Sequence, residues 1–550
     1  MKKEIKIISD FNSDMLYNFL INRIDQKNYK IVKPVFEPFE SGCFKVINSK
    51  NKSHVLIAWS RIEETIKEYS KLLNYEKISQ KSVDSQIDKY INLIINLSKK
   101  TENLILISWT LPSFERGKYL KDLTDSNGLS LNLNKINLRI SEALNNKSNI
   151  FLYNLDFIIQ KNDESFNPKL WFTTKTPYNN KLFQIAAEEF GEAINSFSKP
   201  AKKLLVLDLD NTLWGGEVGE LGWKRINVGG HNFIGEAFVD FQKKIKALKN
   251  KGLQLAIISK NDEKNALEAF KKNKEMVLRI KDFVSWRINW KDKAQNLKDI
   301  LNDLNLTSDS CVFIDDNINE RERIKSSFSD VLVPDWPNDP SFFSQELLKL
   351  NCFHSNHFTL EDEKRTQYYK EEQKRKKTKE NFLSHEEWLS SLKIKVDIEK
   401  INSENKLRVL QLINKTNQMN LTTRRLNENE LDNLLKDKSI ESRALRVKDK
   451  LGDMGLVGIY LLKIKNKEIK VLDFILSCRA FGRSIEHFMF YNINLTAKKN
   501  KLNKVIFPYI KTKKNKPCLD FLKSLKLKKT GSKNFIFNNE FKVKKPNHLN

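Results

Sequence analysis

Cysteine is scarce: Cys43, Cys311, Cys352, Cys478 and Cys518 are scattered singly over 550 residues with no CxxC pair. That excludes a zinc ribbon and a disulfide framework and fits a reducing compartment. Only 17 Gly and 12 Pro are present, which excludes collagen-like and low-complexity chains. No run reaches the roughly 18 apolar residues of a membrane span, the best candidates being short runs such as Leu104 to Trp109. The start, Met1-Lys2-Lys3, is basic, but Glu4 and the mixed run to Asp10 stand where a signal peptide has its apolar stretch. These absences predict a soluble, cytoplasmic protein. What is present, 40% hydrophobic and 10% aromatic residues, can fill buried cores and excludes global disorder. At roughly 100 to 200 residues per domain, three or four domains are expected.

The net charge of +28 is not spread evenly. Residues 201–350 carry 24 Lys and Arg against 23 Asp and Glu, whereas residues 351–550 carry 44 against 23, a balance of +21. A basic third suits nucleic acid, an anionic membrane surface or an acidic protein partner. The competing reading is a lysine-rich background, since Lys, Asn and Ile are abundant throughout.

Four segments are expected. Residues 1–198 open with strand-like Ile5-Lys6-Ile7-Ile8 and continue with two more apolar strands, Val55 to Trp59 and Leu104 to Ser108. Between those two strands, apolar residues recur at three- and four-residue steps from Ile62 to Leu97, which predicts one long helix and a parallel α/β layer. Ser198-Lys199-Pro200 reads as a linker. Residues 199–350 form a second domain that stops among Pro334, Pro337 and Pro340. Residues 351–391 read as a charged helical connector in which Lys374-Arg375-Lys376-Lys377 is an exposed helix face. Residues 392–550 form a third, α+β domain. No internal repeat is found.

The strongest signal is Leu204-Leu205-Val206-Leu207-Asp208-Leu209-Asp210-Asn211-Thr212. A buried strand ending in two acids at i and i+2 presents the first carboxylate at the carboxyl edge of a parallel sheet, where open α/β folds bind ligands. Ser259 closes a second such strand, Leu255 to Ile258, and a third, Val312-Phe313-Ile314, ends in Asp315-Asp316. Lys293 lies between them. A lone DxD is weak, since acids often cap the helix after a strand. Four polar strand-end sites in the order DxDxT, S, K, DD resemble the haloacid dehalogenase superfamily of phosphatases and phosphotransferases.

The chemistry requires these residue types. Attack on phosphorus needs the phosphate's charge shielded, which Mg²⁺ supplies by bridging substrate and carboxylate oxygens. Asp208, Asp315 and Asp316 are the expected carboxylate ligands, and the resemblance adds the main-chain carbonyl of Asp210. Asp208 is the expected nucleophile, forming an aspartyl-phosphate. Asp210 is expected to protonate the leaving oxygen and to activate water, Thr212 and Ser259 to bond phosphoryl oxygens, and Lys293 to neutralise charge. Lys291 competes for that last role, and the family motif favours Lys293, three residues after Trp290. Roughly 47 residues separate Asp210 from the serine strand, much of them the expected helix Ala237 to Asn250, which leaves little for a cap.

Further blocks, Trp214-Gly215-Gly216-Glu217 to Glu220, Ser259-Lys260-Asn261, and Asn317 to Glu322 after the paired acids, resemble the FkbH-like proteins. Asn414 to Arg425 and Leu476-Ser477-Cys478-Arg479-Ala480-Phe481-Gly482-Arg483 match that family's downstream, acetyltransferase-like (GNAT) part, so the resemblance spans about residues 165–530. It implies a glyceryl or related acyl unit, taken from a phosphorylated precursor, dephosphorylated and handed to an acyl carrier protein. Arg479, Gly482 and Arg483 before the helix Ile485 to Leu495 read as a cradle for the phosphate of a pantetheine arm. Ser484 departs from the acetyltransferase pattern, and Leu522 stands where that fold often has a tyrosine acid. Cys478 could carry a thioester, the competing reading being a small core residue. Residues 1–198 look like a divergent SGNH-hydrolase layer with Ser9-Asp10-Phe11-Asn12 at the nucleophile loop. His54 precedes a core strand and no histidine follows Asp156 in that segment, so a scaffold or docking role is preferred to an esterase. The competing functions are an acyltransferase for surface-glycan or lipid precursors, and a nucleic-acid binder. Against the latter, the basic residues are not interleaved with stacking aromatics and no nucleic-acid-binding motif is found.

Overall fold

Hydrophobic strands that alternate their side chains between two covered faces organise most of this protein, seen in a computed structural model. The structure describes residues 2–112, 120–161, 165–198, 201–230, 232–304, 306–353, 365–379, 381–502, 504–512, 514–525, 527–530, 534–538 and 543–549. Most of the expected linker Ser198-Lys199-Pro200 and part of the expected connector, 354–364, lie outside the described residues. Two units are distinguished, Met1–Lys199 with Asn427–Glu430, and Pro200–Leu426 with Leu431–Asn550.

In the first unit, β1 (Lys3–Ser9), β2 (Tyr29–Ile31), β3 (Ser53–Trp59), β4 (Thr101–Ile107) and β5 (Ile150–Tyr153) form an all-parallel sheet in the order β2-β1-β3-β4-β5. Ile5, Ile7, Val55, Ile57 and Trp59 fill one face, and Ile8, Leu56, Ala58, Leu104 and Leu106 the other. That period of two with both faces covered is why the strands read as unbroken apolar runs. The helix expected from Ile62 to Leu97 is instead three: Ile62–Thr65, Lys67–Leu73 and Gln80–Ser98. Ile66 is extended, Tyr75 has φ 58°, and the Ser79 hydroxyl caps the last helix by accepting from Ser82 N. The apolar period runs through these breaks because each piece covers the same sheet face.

The second unit begins with a central lobe. Strands β6 (Leu204–Leu207), β7 (Gln254–Ser259), β8 (Ser285–Ile288) and β9 (Cys311–Ile314) form a parallel sheet in the order β8-β7-β6-β9. Leu205, Leu207, Leu255 and Ile257 pack on the helix Phe233–Asn250 side, Val206, Ala256 and Ile258 on the helix Lys293–Asp303 side. The helix expected from Ala237 starts at Phe233, because the Asn232 side chain accepts from Gly235 N and caps it earlier. Beyond it, β10 (Lys395–Glu399), β11 (Met419–Asn420), β12 (Ile440–Asp449), β13 (Gly452–Lys465), β14 (Glu468–Leu476), β15 (Lys504–Pro508), β16 (Lys528–Thr530) and β17 (Asn534–Asn538) build a second sheet. Its order is β10-β12-β13-β14-β15-β17-β16, antiparallel except for β14 with β15. β14 and β15 pair only at Glu468–Lys470, and further along β14 the short β11 takes Ile475 and Leu476.

The lysine run expected as a solvated face is partly interior. Arg375, in the helix Arg365–Lys379, is buried, with Nε and Nη2 donating to Asp449 at 2.7 and 2.9 Å, so the helix docks by a charged inner face. Lys374 is exposed as expected.

Candidate active site

The carboxyl edge of the central sheet gathers the strand-end residues. Because β6 and β9 are parallel neighbours, with Leu207 opposite Ile314, the residues that follow them, Asp208 and Asp315-Asp316, arrive side by side. One carboxylate oxygen from each of the three comes within 4.8 Å of the others. Lys293, at the start of the helix Lys293–Asp303 between β8 and β9, is buried, with Nζ 2.6 Å from Asp315 Oδ2 and 3.2 Å from Asp208 Oδ2. Lys291 is exposed, so the geometry brings only Lys293 to the acids.

Three carboxylates against one ammonium leave a buried cluster short of positive charge. Burial opposes the charge of Lys293, but Asp208 and Asp315 outweigh it and hold the ammonium above the ordinary lysine range. Burial and then the charge of Asp208 push Asp315 up to about 7 against the pull of Lys293, and the same two causes raise Asp316. Asp208 Oδ1 is buried and accepts no hydrogen bond among the described residues. An orphaned carboxylate oxygen, hard oxygen donors and a formal charge of about −2 fit one hard divalent cation such as Mg²⁺. Asp208, Asp315 and Asp316 would hold it.

The Asp210 carboxylate lies outside that cluster. Its Oδ1 accepts from Trp214 Nε1 at 2.8 Å and Val218 N at 3.0 Å, and its Oδ2 from Asn261 Nδ2 at 2.7 Å. Burial is the largest influence on this carboxyl and raises it to about 6, against the lowering by the Val218 and Trp214 hydrogen bonds. A carboxyl poised there can exchange a proton near neutral pH. Thr212 is fully buried, its hydroxyl donating to Asp316 Oδ1 and accepting from Asp316 N, each at 3.2 Å. The structure thus places it behind the acids, tying the β6 loop to the β9 loop, where a phosphoryl contact had been expected. Ser259 closes β7 and is buried at the same sheet edge.

Two contributors lie inside quoted sequence blocks, yet spacing gives them no role. Asn261 orients Asp210, and buried Arg321 donates from Nη1 to the carbonyls of Asp315 at 2.8 Å and Asp316 at 2.6 Å, fixing the paired acids. Their signal is purely three-dimensional, since each acts on a partner in another loop or a turn of helix away. Among the described residues, the stretch after β6 makes the short helix Val218–Leu221 and the bridges Asp210–Trp214 and Gly215–Asn227, and forms no cap domain.

The second group of expected residues lies elsewhere in this unit. Cys478 and Arg479 line a cavity of about 200 Å³ together with Lys203, Arg408, Tyr368 and Lys514. The Arg479 guanidinium lies over the Tyr368 ring at 4.5 Å. Gly482 has φ 74° with open space where a Cβ would stand, so its freedom serves the turn. Arg483 is buried, donates from Nη1 to the carbonyls of Arg479 and Phe481, and pairs with Glu372. Those bonds spend Arg483 inside the fold, which turns it away from the phosphate cradle expected of it. Leu522 is fully buried in its helix. The cavity opens at the amino edge of the central sheet, beside Lys203 and Ser310, which precede β6 and β9. Asp208 and Asp315 follow the same strands, so the two sites stand at opposite edges of one sheet.

In the first unit the hydrolase constellation is not assembled among the described residues. The buried Ser9 hydroxyl donates to Phe11 O and bonds the Ser13 hydroxyl. Ser9 ends β1 opposite Trp59, whereas His54 lies at the start of β3, the other edge of the sheet, bonded to Glu102 at 2.6 Å.

No protein-family model matches the chain, and no curated protein matches it. Among solved structures it is similar to the N-terminal part of BF1531 from Bacteroides fragilis, which contains a phosphatase domain and was determined in complex with Mg. The two are 27% identical, with a TM-score of 0.54, over 65% of this chain and 95% of that one. Two N-acetyltransferases align with about a quarter of the chain. The Escherichia coli ribosomal-protein-S18-alanine enzyme is 5% identical over 27% of this chain and 96% of its own, with a TM-score of 0.22. The Thermoplasma acidophilum PaiA enzyme with coenzyme A is 13% identical over 26% and 99%, with a TM-score of 0.21. No helix among the described residues is long and apolar enough to cross a membrane.

Proposed function

We propose that this chain is a Mg²⁺-dependent phosphatase or phosphotransferase of the haloacid dehalogenase type, whose reaction centre is Asp208, Asp210, Lys293, Asp315 and Asp316. The observation that carries this reading is the trio of carboxylates, two buried and Asp316 half-buried, around an Asp208 Oδ1 with no hydrogen-bond partner among the described residues, with Lys293 as its cation. Likeness to a phosphatase-domain structure determined with Mg supports it. Bound there, Mg²⁺ shields the phosphoryl charge. Asp208 attacks phosphorus through its carboxylate, the phosphorus–oxygen bond to the leaving group breaks, and Asp210 gives that oxygen its proton. Water then attacks phosphorus in the aspartyl-phosphate, its proton passing to Asp210 as the phosphorus–oxygen bond to Asp208 breaks, which releases phosphate and restores both carboxyl groups. Lys293 neutralises charge throughout, and Arg321 and Thr212 hold the acid pair in place.

Asp210→Asn tests the order of these steps. The amide keeps the shape and an oxygen for Trp214 Nε1 and Val218 N, gives up the bond accepted from Asn261 Nδ2, and carries no titrating proton, so turnover should fall about 10² to 10⁴-fold. The phosphoenzyme on Asp208 should accumulate, read as ³²P retained by the denatured protein. Normal steady-state turnover would remove Asp210 from the acid/base role.

The second step of the proposal follows the FkbH-like resemblance: dephosphorylation is coupled to transfer of a glyceryl or related acyl unit onto an acyl carrier protein, with a GNAT-like C-terminal domain binding the pantetheine-linked group. The cavity at Cys478 and Arg479 is lined by Lys203, Arg408, Lys415, Arg479 and Lys514 against Asp303, Asp309 and Glu372, with Lys514 paired to Asp309, and this positive balance supports an anionic ligand there. Since the two sites face opposite edges of the central sheet, the acyl unit would travel between them on a tether or through solution. The SGNH-like likeness of the first unit is proposed as fold only, with a scaffold or docking role. Arg479→Ala should slow acylation of a carrier protein at least about tenfold, the worth of one hydrogen bond to a charged group, while aryl-phosphate hydrolysis persists. Arg483 is unsuited to that test, because removing it breaks a buried ion pair. Binding of any nucleic acid tighter than about 10⁻⁶ M at physiological salt, with no carrier binding, would favour the nucleic-acid reading instead.

A further inference from the structure

The most exposed large apolar side chains of the central lobe are Trp290 at 75%, Phe233 at 74% and Ile318 at 62%. All three stand at the carboxyl edge of the sheet, the edge that bears Asp208. Trp290 lies between the end of β8 and the helix Lys293–Asp303, Ile318 begins the helix after Asp315-Asp316, and Phe233 begins the helix that follows the short flap. Scattered apolar residues need no explanation, but three around one charged site do.

Trp290 is also held in place. Asn289 and Asn296 exchange side-chain amide bonds, Lys291 N donates to Asn289 Oδ1, and Asp292 both caps the helix and pairs with Arg323 at 2.8 Å. That exposed ion pair links the Trp290 loop to the helix Ile318–Ser327, so the indole and Ile318 stand on neighbouring elements of one rim. The loop's hydrogen bonds seat the start of the helix that carries Lys293, but the Trp290 side chain itself enters neither the core nor the acid cluster. With no cap domain, whatever covers the mouth during turnover comes from outside the lobe.

We propose that this rim is a specificity element: the site takes phosphate esters or acyl phosphates whose organic part carries an apolar, preferably planar, body, and Trp290 contacts that body. The inference rests on the phosphatase reading alone and narrows it toward substrates whose organic part has an apolar portion. The phosphoryl group meets Lys293 and the acids at the floor while the apolar part lies against the indole, three residues along the chain from Lys293. An aromatic face flanked by a charged floor is how mostly apolar pockets orient a ligand with a few polar groups.

The test compares hydrolysis of 1-naphthyl phosphate with that of acetyl phosphate, both with Mg²⁺, in the full chain and in Trp290→Ala and Trp290→Phe. The ratio of kcat/KM, naphthyl over acetyl, should fall about tenfold in Trp290→Ala, through KM, and be largely restored in Trp290→Phe. Equilibrium binding of 1-naphthylmethylphosphonate, which is not hydrolysed, should weaken by a similar factor. A ratio unchanged within twofold in Trp290→Ala overturns the proposal. So does an oligomer that dissociates in Trp290→Ala with the ratio unchanged, which would assign the rim to a second copy. Wild-type protein that hydrolyses neither compound would instead overturn the phosphatase reading on which it rests.

Discussion

Asp208→Asn is expected to abolish Mg²⁺-dependent hydrolysis of an aryl phosphate, with a loss of several orders of magnitude. The substitution removes two functions at once: an amide is no nucleophile toward phosphorus, and it is a poor ligand for a hard dication. Its shape is nearly that of the carboxylate, so the backbone bond from Asp208 N to Ile314 O at 3.1 Å and the strand pairing behind it should stand. In the variant the negative charge facing Lys293 falls by one, which leaves the Lys293–Asp315 pair at 2.6 Å intact. Folding is therefore expected to survive, and the loss can be read as chemistry. The measurement is steady-state hydrolysis with Mg²⁺ and with a chelator. Retention of more than about a tenth of the wild-type rate would take Asp208 out of the nucleophile position, since loss of a covalent step and a metal ligand together cannot cost so little.

How much of this was legible in the sequence differs from residue to residue. Strands β6, β7 and β9 were readable because sheets covered on both faces need continuous apolar runs, and an acid or serine directly after such a run lands at the carboxyl edge. Strand β8, Ser285-Trp286-Arg287-Ile288, was not readable: it is an edge strand, with Trp286 and Arg287 half-buried, and carries no such run. Lys293 could be named through the family motif but not through burial, since nothing in Asn289 to Lys293 says which lysine turns inward. Thr212 and Arg483 show the converse limit. Each has the residue type for meeting a phosphate, and each is consumed by a partner distant in sequence, Asp316 and Glu372, that only the fold supplies. The breaks between Ile62 and Leu97 escaped for a related reason, because apolar periodicity reports the covered face and is blind to whether the backbone covering it is continuous.

Lys293→Met is expected to weaken catalysis and to tighten metal binding, a pairing that separates its charge from its packing. Methionine keeps much of the lysine stem's volume, so the apolar surroundings at Ala294 and Leu297 stay filled. What disappears is the cation that Asp208 and Asp315 hold protonated. Without metal, the buried Asp208 and Asp315 and the half-buried Asp316 then repel one another, and breaking a buried pair in this way costs about 3 to 5 kcal/mol unless protons relieve it. Mg²⁺ relieves the same repulsion and meets no lysine ammonium beside it, so the variant should bind the ion more tightly than the wild type. Its thermal midpoint should therefore rise more on adding Mg²⁺, by the linkage between ligand and folding. The phosphoryl charge loses its fixed partner in the transition state, and turnover should fall about 10² to 10³-fold, the usual worth of one preorganised charge or donor. Calorimetric titration with Mg²⁺, the midpoint with and without the ion, and steady-state rates together give the answer. Weaker Mg²⁺ binding alongside lost activity would mean that Lys293 acts by holding the acids in position, and near-normal turnover would mean that the neutralising charge comes from another residue.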